Sequence, residues 1–347
     1  MNIAIPILTF SKSGGHRVLA KLANTWCEQG HSVEMILCYE SESYFPLDNR
    51  ICITHLKGKS VLDNLKNITK YIRKNYFRFD AIIANQNRTA FYTFLGCLGH
   101  MDFSKCYYYI QAYEPEFYKL GISRGLENWL KPHAVMSYYL PLKKIVNSNL
   151  YLNYKNIHAK RVVYPGLDLN LYYPKELSFF NKVIKIGTIG RREEWKGTAD
   201  VCKAMEILKS EGVDFEFYIA FNDFDSIPHH FVKPDGDENL SAFYRDMDIV
   251  VAACKGQHGA VHYPVIESMA VGSTIVCTDY YPSNAENSYK VNSSSPEEIA
   301  EAIKYIINNK DEAMQKRAQA LKDVQQFDWP VVAQKFLDYL QEGRNNI

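Results

Sequence analysis

The chain is predicted to be an α/β protein built from two doubly wound halves. Two observations predict this. Short apolar runs without polar alternation, such as residues 2–9, 81–84, 183–187 and 249–253, read as strands buried on both faces. Segments with helical spacing of apolar residues lie between them, and strand–helix alternation implies parallel sheets. The alternation lapses over 167–180, which is rich in Pro, Asn and Tyr, and then restarts. At 347 residues the chain is long for one core, which also favours two domains. The expected division is 1–170, 171–328, and a final helix over 329–347 that crosses back to the first domain.

The elements follow in order. Strand 2–9 leads into the glycine turn Ser11-Lys-Ser-Gly-Gly15. Residues 16–29 carry Val18, Leu19, Leu22, Ala23 and Trp26 at helical spacing, and Gly30 stops that helix. Residues 32–39 form the next strand. A helix over 61–75, a strand at 81–84, a helix over 89–98 and a strand at 106–110 continue the pattern. Residues 125–130 are expected as helix, 134–137 as strand, 140–148 as helix and 161–164 as strand. After the connector come helix 198–210, strand 215–220, helix 240–246 and strand 249–253. Helix 264–271, strand 274–278, and helices over 297–308, 312–324 and 329–341 complete the chain.

Composition excludes several classes. Forty Lys and Arg nearly cancel 39 Asp and Glu, so the formal charge is +1 and no basic excess marks a nucleic-acid binder. The eight cysteines form no C-x-x-C pair and read as buried thiols of a reducing compartment. The N-terminus lacks the charged region and cleavage site of a signal peptide. No apolar run approaches the ~20 residues of a spanning helix. A cytoplasmic protein is expected. Basic-aromatic segments at 61–79 and around Lys143 and Lys144 leave peripheral contact with the inner membrane face open, against the plainer reading of solvated helix faces.

Position within the alternation singles out the residues that carry chemistry. Ligands of open α/β sheets bind beyond the C-terminal ends of strands. Gly190-Arg191 and Lys196-Gly197 come directly after the strand ending near Thr188. Arginine offers a fork matched to phosphate oxygens and lysine a mobile point charge. A merely solvated turn is the competing reading, since Arg192, Glu193 and Glu194 lie there too. Pro264 suits the first turn of a helix whose free N–H groups can receive phosphate. Glu267 sits one turn in, among Val265, Ile266, Met269 and Ala270, and a carboxylate there needs partners such as ribose hydroxyls. Gly14 and Gly15 allow close approach to the first helix N-terminus. Gln111, Tyr113, Glu114 and Glu116 follow strand 106–110. The Asp pairs 223/225, 235/237 and 246/248 read as loop and capping residues more than metal ligands. His229-His230 reads as a solvated pair.

Taken together these segments resemble the family 4 retaining glycosyltransferases of GT-B fold. The resemblance rests on Gly14-Gly15 with Gly30-His-Ser-Val33, Tyr164-Pro-Gly-Leu-Asp168 through Pro174, Gly190-Arg191 to Lys196-Gly197, and 244–276. Gln111-Ala-Tyr-Glu-Pro-Glu-Phe117 resembles the rhamnosyltransferase-like branch. The resemblance implies two Rossmann-like domains facing a central cleft, with the acceptor on the first and the nucleotide sugar on the second. It implies that Arg191 and Lys196 bind the donor diphosphate and ease its departure; Gln111 and Glu114, after strand 106–110, are the further catalytic candidates, for orienting the acceptor or the donor sugar. It implies donor contacts from Gly14, Gly15, Gly190, Gly259, His262, Tyr263 and Glu267. No metal and no cofactor is expected, the nucleoside-diphosphate sugar being the donor substrate. Gly259 stands where the family's first Glu of E-x7-E would be, and Gln111 where many members place a His; His258 and His262 are candidates for the missing contact.

The expected activity is transfer of a hexose or deoxyhexose, with retention, to a glycan or lipid-linked glycan acceptor in cell-surface polysaccharide synthesis. No nucleic-acid partner is expected. A nucleotide-sugar 2-epimerase and a catalytically silent glycan-binding or scaffold module remain open as alternatives.

Overall fold

The computed structural model describes residues 1–56, 58–119, 124–174, 180–225 and 227–345. Of the connector expected at 167–180, residues 175–179 lie outside that set, as do 346–347 of the final segment. The chain forms two compact units, Met1–Gly166 with Trp329–Ile347, and Leu167–Asp328.

The first unit holds strands β1 (Asn2–Ile7), β2 (Ser32–Leu37), β3 (Cys52–His55), β4 (Ala81–Ala84), β5 (Cys106–Ile110), β6 (Lys143–Val146) and β7 (Arg161–Val162). Their order is β3-β2-β1-β4-β5-β6-β7, all parallel. The order reverses between β1 and β4, the switch point of a doubly wound sheet. Helices α1 (Gly14–Glu28), α2 (Val61–Asn75), α3 (Asn87–Leu98) and α4 (Arg124–Ser137) connect them. Central strands are buried almost throughout, as expected when helices cover both faces. Ser13 caps α1 by accepting from the His16 N–H at 3.4 Å.

The second unit repeats the plan. Strands β8 (Ile184–Ile189), β9 (Phe215–Ala220), β10 (His230–Val232), β11 (Ile249–Ala252), β12 (Thr274–Cys277) and β13 (Tyr289–Lys290) lie in the order β10-β9-β8-β11-β12-β13. The switch point falls between β8 and β11. Helices α5 (Thr198–Ser210), α6 (Gly236–Asp246), α7 (Tyr263–Val271), α8 (Pro296–Asn308) and α9 (Lys310–Asp323) belong here. Arg317 of α9 is 1% exposed and donates to the Thr274 hydroxyl at 2.7 Å and the Asp248 carbonyl at 2.8 Å. It fastens that helix to the strand ends, and burial pulls its guanidinium down to about 10.

The last helix, α10 (Trp329–Asn345), returns to the first unit. Trp329, Val332, Ala333, Phe336, Leu337 and Leu340 recur at helical spacing and enter the core under α1. The Trp26 ring meets Phe336 edge-on at 5.3 Å, and its indole N–H donates to the Ala333 carbonyl at 3.1 Å.

Two segments differ in type from the sequence expectation. Residues 134–137 are the last turn of α4, not a strand: Ala134 and Tyr138, one turn apart, are both fully buried, and the Ser137 hydroxyl donates to the Ala134 carbonyl. Residues 140–148 hold β6, not a helix. Ile145 and Val146 are β-branched and pair with Tyr109 and Ile110 of β5, and a waiting sheet edge overrides local helical spacing. The short edge strands β3, β10 and β13 carry little apolar signal, and sequence patterning passes over them. Cys52 is exposed on edge strand β3, against the expectation of a buried thiol, whereas the other cysteines are buried and all are free. Nor is His229 simply solvated: its Nε2 meets the Asp223 carboxylate at 2.8 Å and its Nδ1 the Ile227 carbonyl at 2.7 Å.

Candidate functional site

In the second unit the loop after β8 turns sharply and is held from behind. The Gly190 N–H donates to the Ala220 carbonyl at 2.8 Å, and a Cβ at Gly190 would lie 2.3 Å from the Asn222 carbonyl oxygen. The Arg191 N–H donates to the Thr198 hydroxyl at 3.0 Å. The Lys255 N–H donates to the Trp195 carbonyl at 2.7 Å, which ties the loop to the chain leaving β11. Gly197 sits at φ 74°, a left-handed conformation that suits glycine.

This construction brings Arg191 and Lys196 to the wall of one cavity of about 300 Å³. Thr188, Ala253, Cys254, Gln257, His262 and Tyr263 also line it. It lies at the C-terminal ends of β8 and β11, where the strand order reverses, and at the start of α7. Lys196 is partly buried, its Nζ 3.9 Å from the Trp195 ring centre, and burial pulls its pKa down. His262 is held well below its ordinary value, first by burial and then by the positive charges of Lys196 and Arg191. Its ring stacks on Tyr280 at 4.5 Å, and its Nε2 lies 3.5 Å from the Cys254 sulfur. A neutral imidazole beside two cations leaves a pocket whose net field favours an anion.

Glu267, one turn into α7, is 4% exposed and is not among the residues that line this cavity. Its charge and that of Arg191 both reach the buried Tyr244 phenol, whose pKa is raised first by burial and next by Glu267. Gly259, at φ 79°, is outside the lining, and Gly190 supports it from the loop.

The first unit has its own cavity, about 280 Å³, at the C-terminal ends of β1, β4 and β5. Ser13, Gly15, His16, Asn85, Gln111 and Glu114 are among its walls; Gly14 is not. The Gln111 side chain donates to the Gly15 carbonyl at 3.2 Å. Glu114 Oε1 accepts from the Tyr108 hydroxyl at 2.7 Å and the Asn87 N–H at 2.8 Å. Burial nonetheless raises its pKa to about 7, more than these donors lower it. His16 meets the hydroxyls of Ser11 and Ser13 through Nδ1 at 2.6 and 3.0 Å, and burial lowers its pKa.

Sequence reasoning passed over His16, Asn85, Cys254 and Gln257. Asn85 and Cys254 directly follow strand ends, so the rule that flagged Arg191 would have flagged them, whereas His16 sits in the first turn of α1 and Gln257 in the loop beyond β11. Tyr113 turns away from this cavity and accepts from the Asn156 amide at 2.8 Å. Of the Asp pairs, Asp248 accepts from Asn181 and from the Lys185 N–H, and Asp246 pairs with Lys185 at 2.8 Å. Among the described residues no helix is long and apolar enough to cross a membrane.

Residues 183–309 match the family described as Glycosyl transferases group 1, a stretch that contains Arg191, Lys196, His262 and Glu267. A glycosyltransferase from Rickettsia africae superposes with a TM-score of 0.71 at 15% identity, covering 100% of this chain and 99% of that one. HepE from Anabaena in complex with UDP gives 0.73 at 14%, covering 99% and 100%. Sucrose-phosphate synthase from Thermosynechococcus elongatus gives 0.69 at 14%, covering 100% of both. These likenesses are of fold: two Rossmann-like α/β domains, the GT-B plan. No curated protein matches the chain.

Proposed function

We propose that the protein is a retaining glycosyltransferase of the family 4, rhamnosyltransferase-like kind, taking a hexose or deoxyhexose from a nucleoside-diphosphate sugar. The observation that carries this reading is the cavity at the β8/β11 switch point, where Arg191 and Lys196 meet the start of α7. Two cations and free helix N–H groups neutralise a diphosphate, and they stabilise it most as it departs with full charge. Lys196 is already desolvated, so its interaction with phosphate is stronger than in water. Glu267, one turn into α7, is assigned to the ribose hydroxyls. His262 and Tyr263 border the sugar end, in place of the carboxylate that Gly259 lacks.

The first unit receives the acceptor, a glycan or lipid-linked glycan. Glu114, with a pKa near neutrality, orients the attacking hydroxyl and accepts its proton, and Gln111 fixes the Gly14-Gly15 turn beside it. The acceptor oxygen bonds to the anomeric carbon on the face the diphosphate leaves, so configuration is retained. Cell-surface polysaccharide synthesis at the cytoplasmic side is the setting that fits such an acceptor.

The test is calorimetry with UDP, GDP and dTDP, followed by incubation with the corresponding sugars. HepE has been solved with UDP-glucose, which makes that donor the first to try. Binding of one nucleotide and slow release of free sugar are expected. Failure of every nucleotide to bind would overturn the reading, and conversion of the donor to its epimer without an acceptor would replace it.

A further inference from the structure

The first unit has another cavity, of about 280 Å³, among the helices α2, α3 and α4. Helical spacing builds it. Leu62 and Leu65 stand one turn apart at the start of α2, and Leu130 and His133 one turn apart on α4. Arg88, Phe91 and Leu95 fall on a single stripe of α3. Near their C-terminal ends α2 and α3 press together: a Cβ at Gly96 would lie 2.7 Å from the Ile72 side chain. At the first turn of α2 the same pair leaves a gap. Nothing in the assignment of donor and acceptor residues uses it.

One group in these walls is charged. The Phe91 ring lies 4.3 Å from the His133 ring, and burial, then the charge of Arg88, lowers the pKa of that imidazole. No carboxylate borders the cavity among the described residues. Arg88 is half-buried in the first turn of α3, and among the described residues it has neither an ion pair nor a hydrogen bond. Glu114 feels its charge but is bonded elsewhere, to the Tyr108 hydroxyl and the Asn87 N–H.

Folding stability does not explain this arginine. The first turn of a helix disfavours a cation, because its free N–H groups carry partial positive charge. Partial burial without a partner adds a desolvation cost. An anion beside the guanidinium removes both penalties, and the planar fork suits phosphate oxygens. The remaining lining asks for hydrocarbon. At 280 Å³ the cavity lies just under the ~300 Å³ typical of small ligand pockets, so it takes a short apolar segment. Leu62 borders it and is 66% exposed, which places an opening where a longer chain leaves.

We propose that this cavity binds a phosphate carrying an apolar chain, with the phosphate on Arg88 and the chain among Leu62, Leu65, Leu95 and Leu130. Binding of such a molecule stands independently of the transfer reading. Its role rests on that reading: the ligand is the lipid end of a lipid-linked acceptor. Asn87 borders this cavity and its N–H holds Glu114 on the wall of the acceptor cavity, so the two sites adjoin.

The test is calorimetry of the full chain with octyl, decyl and dodecyl phosphate, each below its micelle concentration. Affinity should rise roughly fourfold per added methylene over the first steps, the gain of moving a CH₂ out of water. Arg88→Gln should weaken dodecyl phosphate by about tenfold or more. Leu62→Glu, at an exposed position that folding tolerates, should weaken it by about threefold or more. Lys70→Gln, exposed on α2 and outside the cavity, should leave it within about twofold. Circular dichroism checks the fold of each variant. Dodecyltrimethylammonium, with the same chain and a cationic head, should not compete. Equal binding of the two head groups, affinity that ignores chain length, or equal effects of Arg88→Gln and Lys70→Gln would each overturn the proposal. These outcomes are read without any nucleotide, so they stand apart from a failure of the transferase reading. Dodecyl phosphate binding at Arg88 in a protein that binds no nucleotide would keep the site and remove only its role.

Discussion

A Cβ added to Gly197 would lie 1.9 Å from the carbonyl oxygen of Ala253. The turn carrying Lys196 is thus pressed directly onto the backbone that leaves β11, and both border the same cavity. Only a residue without a side chain, and able to hold φ 74°, permits that approach. Gly197→Ala is therefore expected to cost about 2–4 kcal/mol, because it adds a backbone clash to a left-handed conformation. Urea denaturation reads the loss. An unchanged midpoint would show that the two segments are not in contact.

Lys196→Ala should leave the fold intact and lower turnover with the active donor by about a hundredfold or more, as for removal of a group that stabilises charge on the departing oxygen. Arg191→Ala should do the same to a similar degree. Steady-state kinetics with circular dichroism as a folding control decides the matter. Near-normal kcat in either variant would remove that residue from the leaving-group role.

Glu267 is assigned to ribose, and a comparison of two ligands isolates that contact. Glu267→Ala should weaken nucleoside diphosphate binding by about tenfold to a hundredfold, the loss expected for hydrogen bonds to a charged group. Pyrophosphate, which has no ribose, should bind the variant as it binds the parent. Equal weakening of both ligands would mean that the carboxylate only props up α7.

The Glu114 carboxyl titrates near pH 7 in the folded protein instead of near 4.5, chiefly because of burial. The folded state therefore binds the proton more tightly than the unfolded state. Its stabilising contribution is complete below about pH 4.5 and is lost as pH rises through 7, on the order of 3 kcal/mol in all. Glu114→Gln keeps an acceptor for Tyr108 and Asn87 and removes the titration. The variant should gain on the parent in melting temperature between pH 5 and pH 8. If Glu114 takes the acceptor proton, kcat of the parent should rise with pH through about 7 and the variant should lose that limb. Parallel melting curves at both pH values would refute the assigned titration.

The two doubly wound sheets were legible because parallel strands buried on both faces must be short apolar runs, and residues 81–84 and 249–252 can be little else. The chemistry of the loop at 190–197 was legible for a related reason: charged residues directly after a buried strand have few places to go except its C-terminal end. The rest was hidden because it depends on neighbours distant in the chain. Ile145 and Val146 are a strand only because β5 offers an edge. His16 and Glu114 border one cavity although about a hundred residues separate them.

The amino-acid order alone determined the alternation of strand and helix, the glycine turns, and the residue types available beyond each strand. Those are local properties, set by side-chain period and backbone freedom. Tertiary structure alone decided that Glu267 is buried off the cavity wall, and that Gly197 touches Ala253. Burial, close approach and local field are sums over atoms brought together by folding, and no window of the sequence contains them.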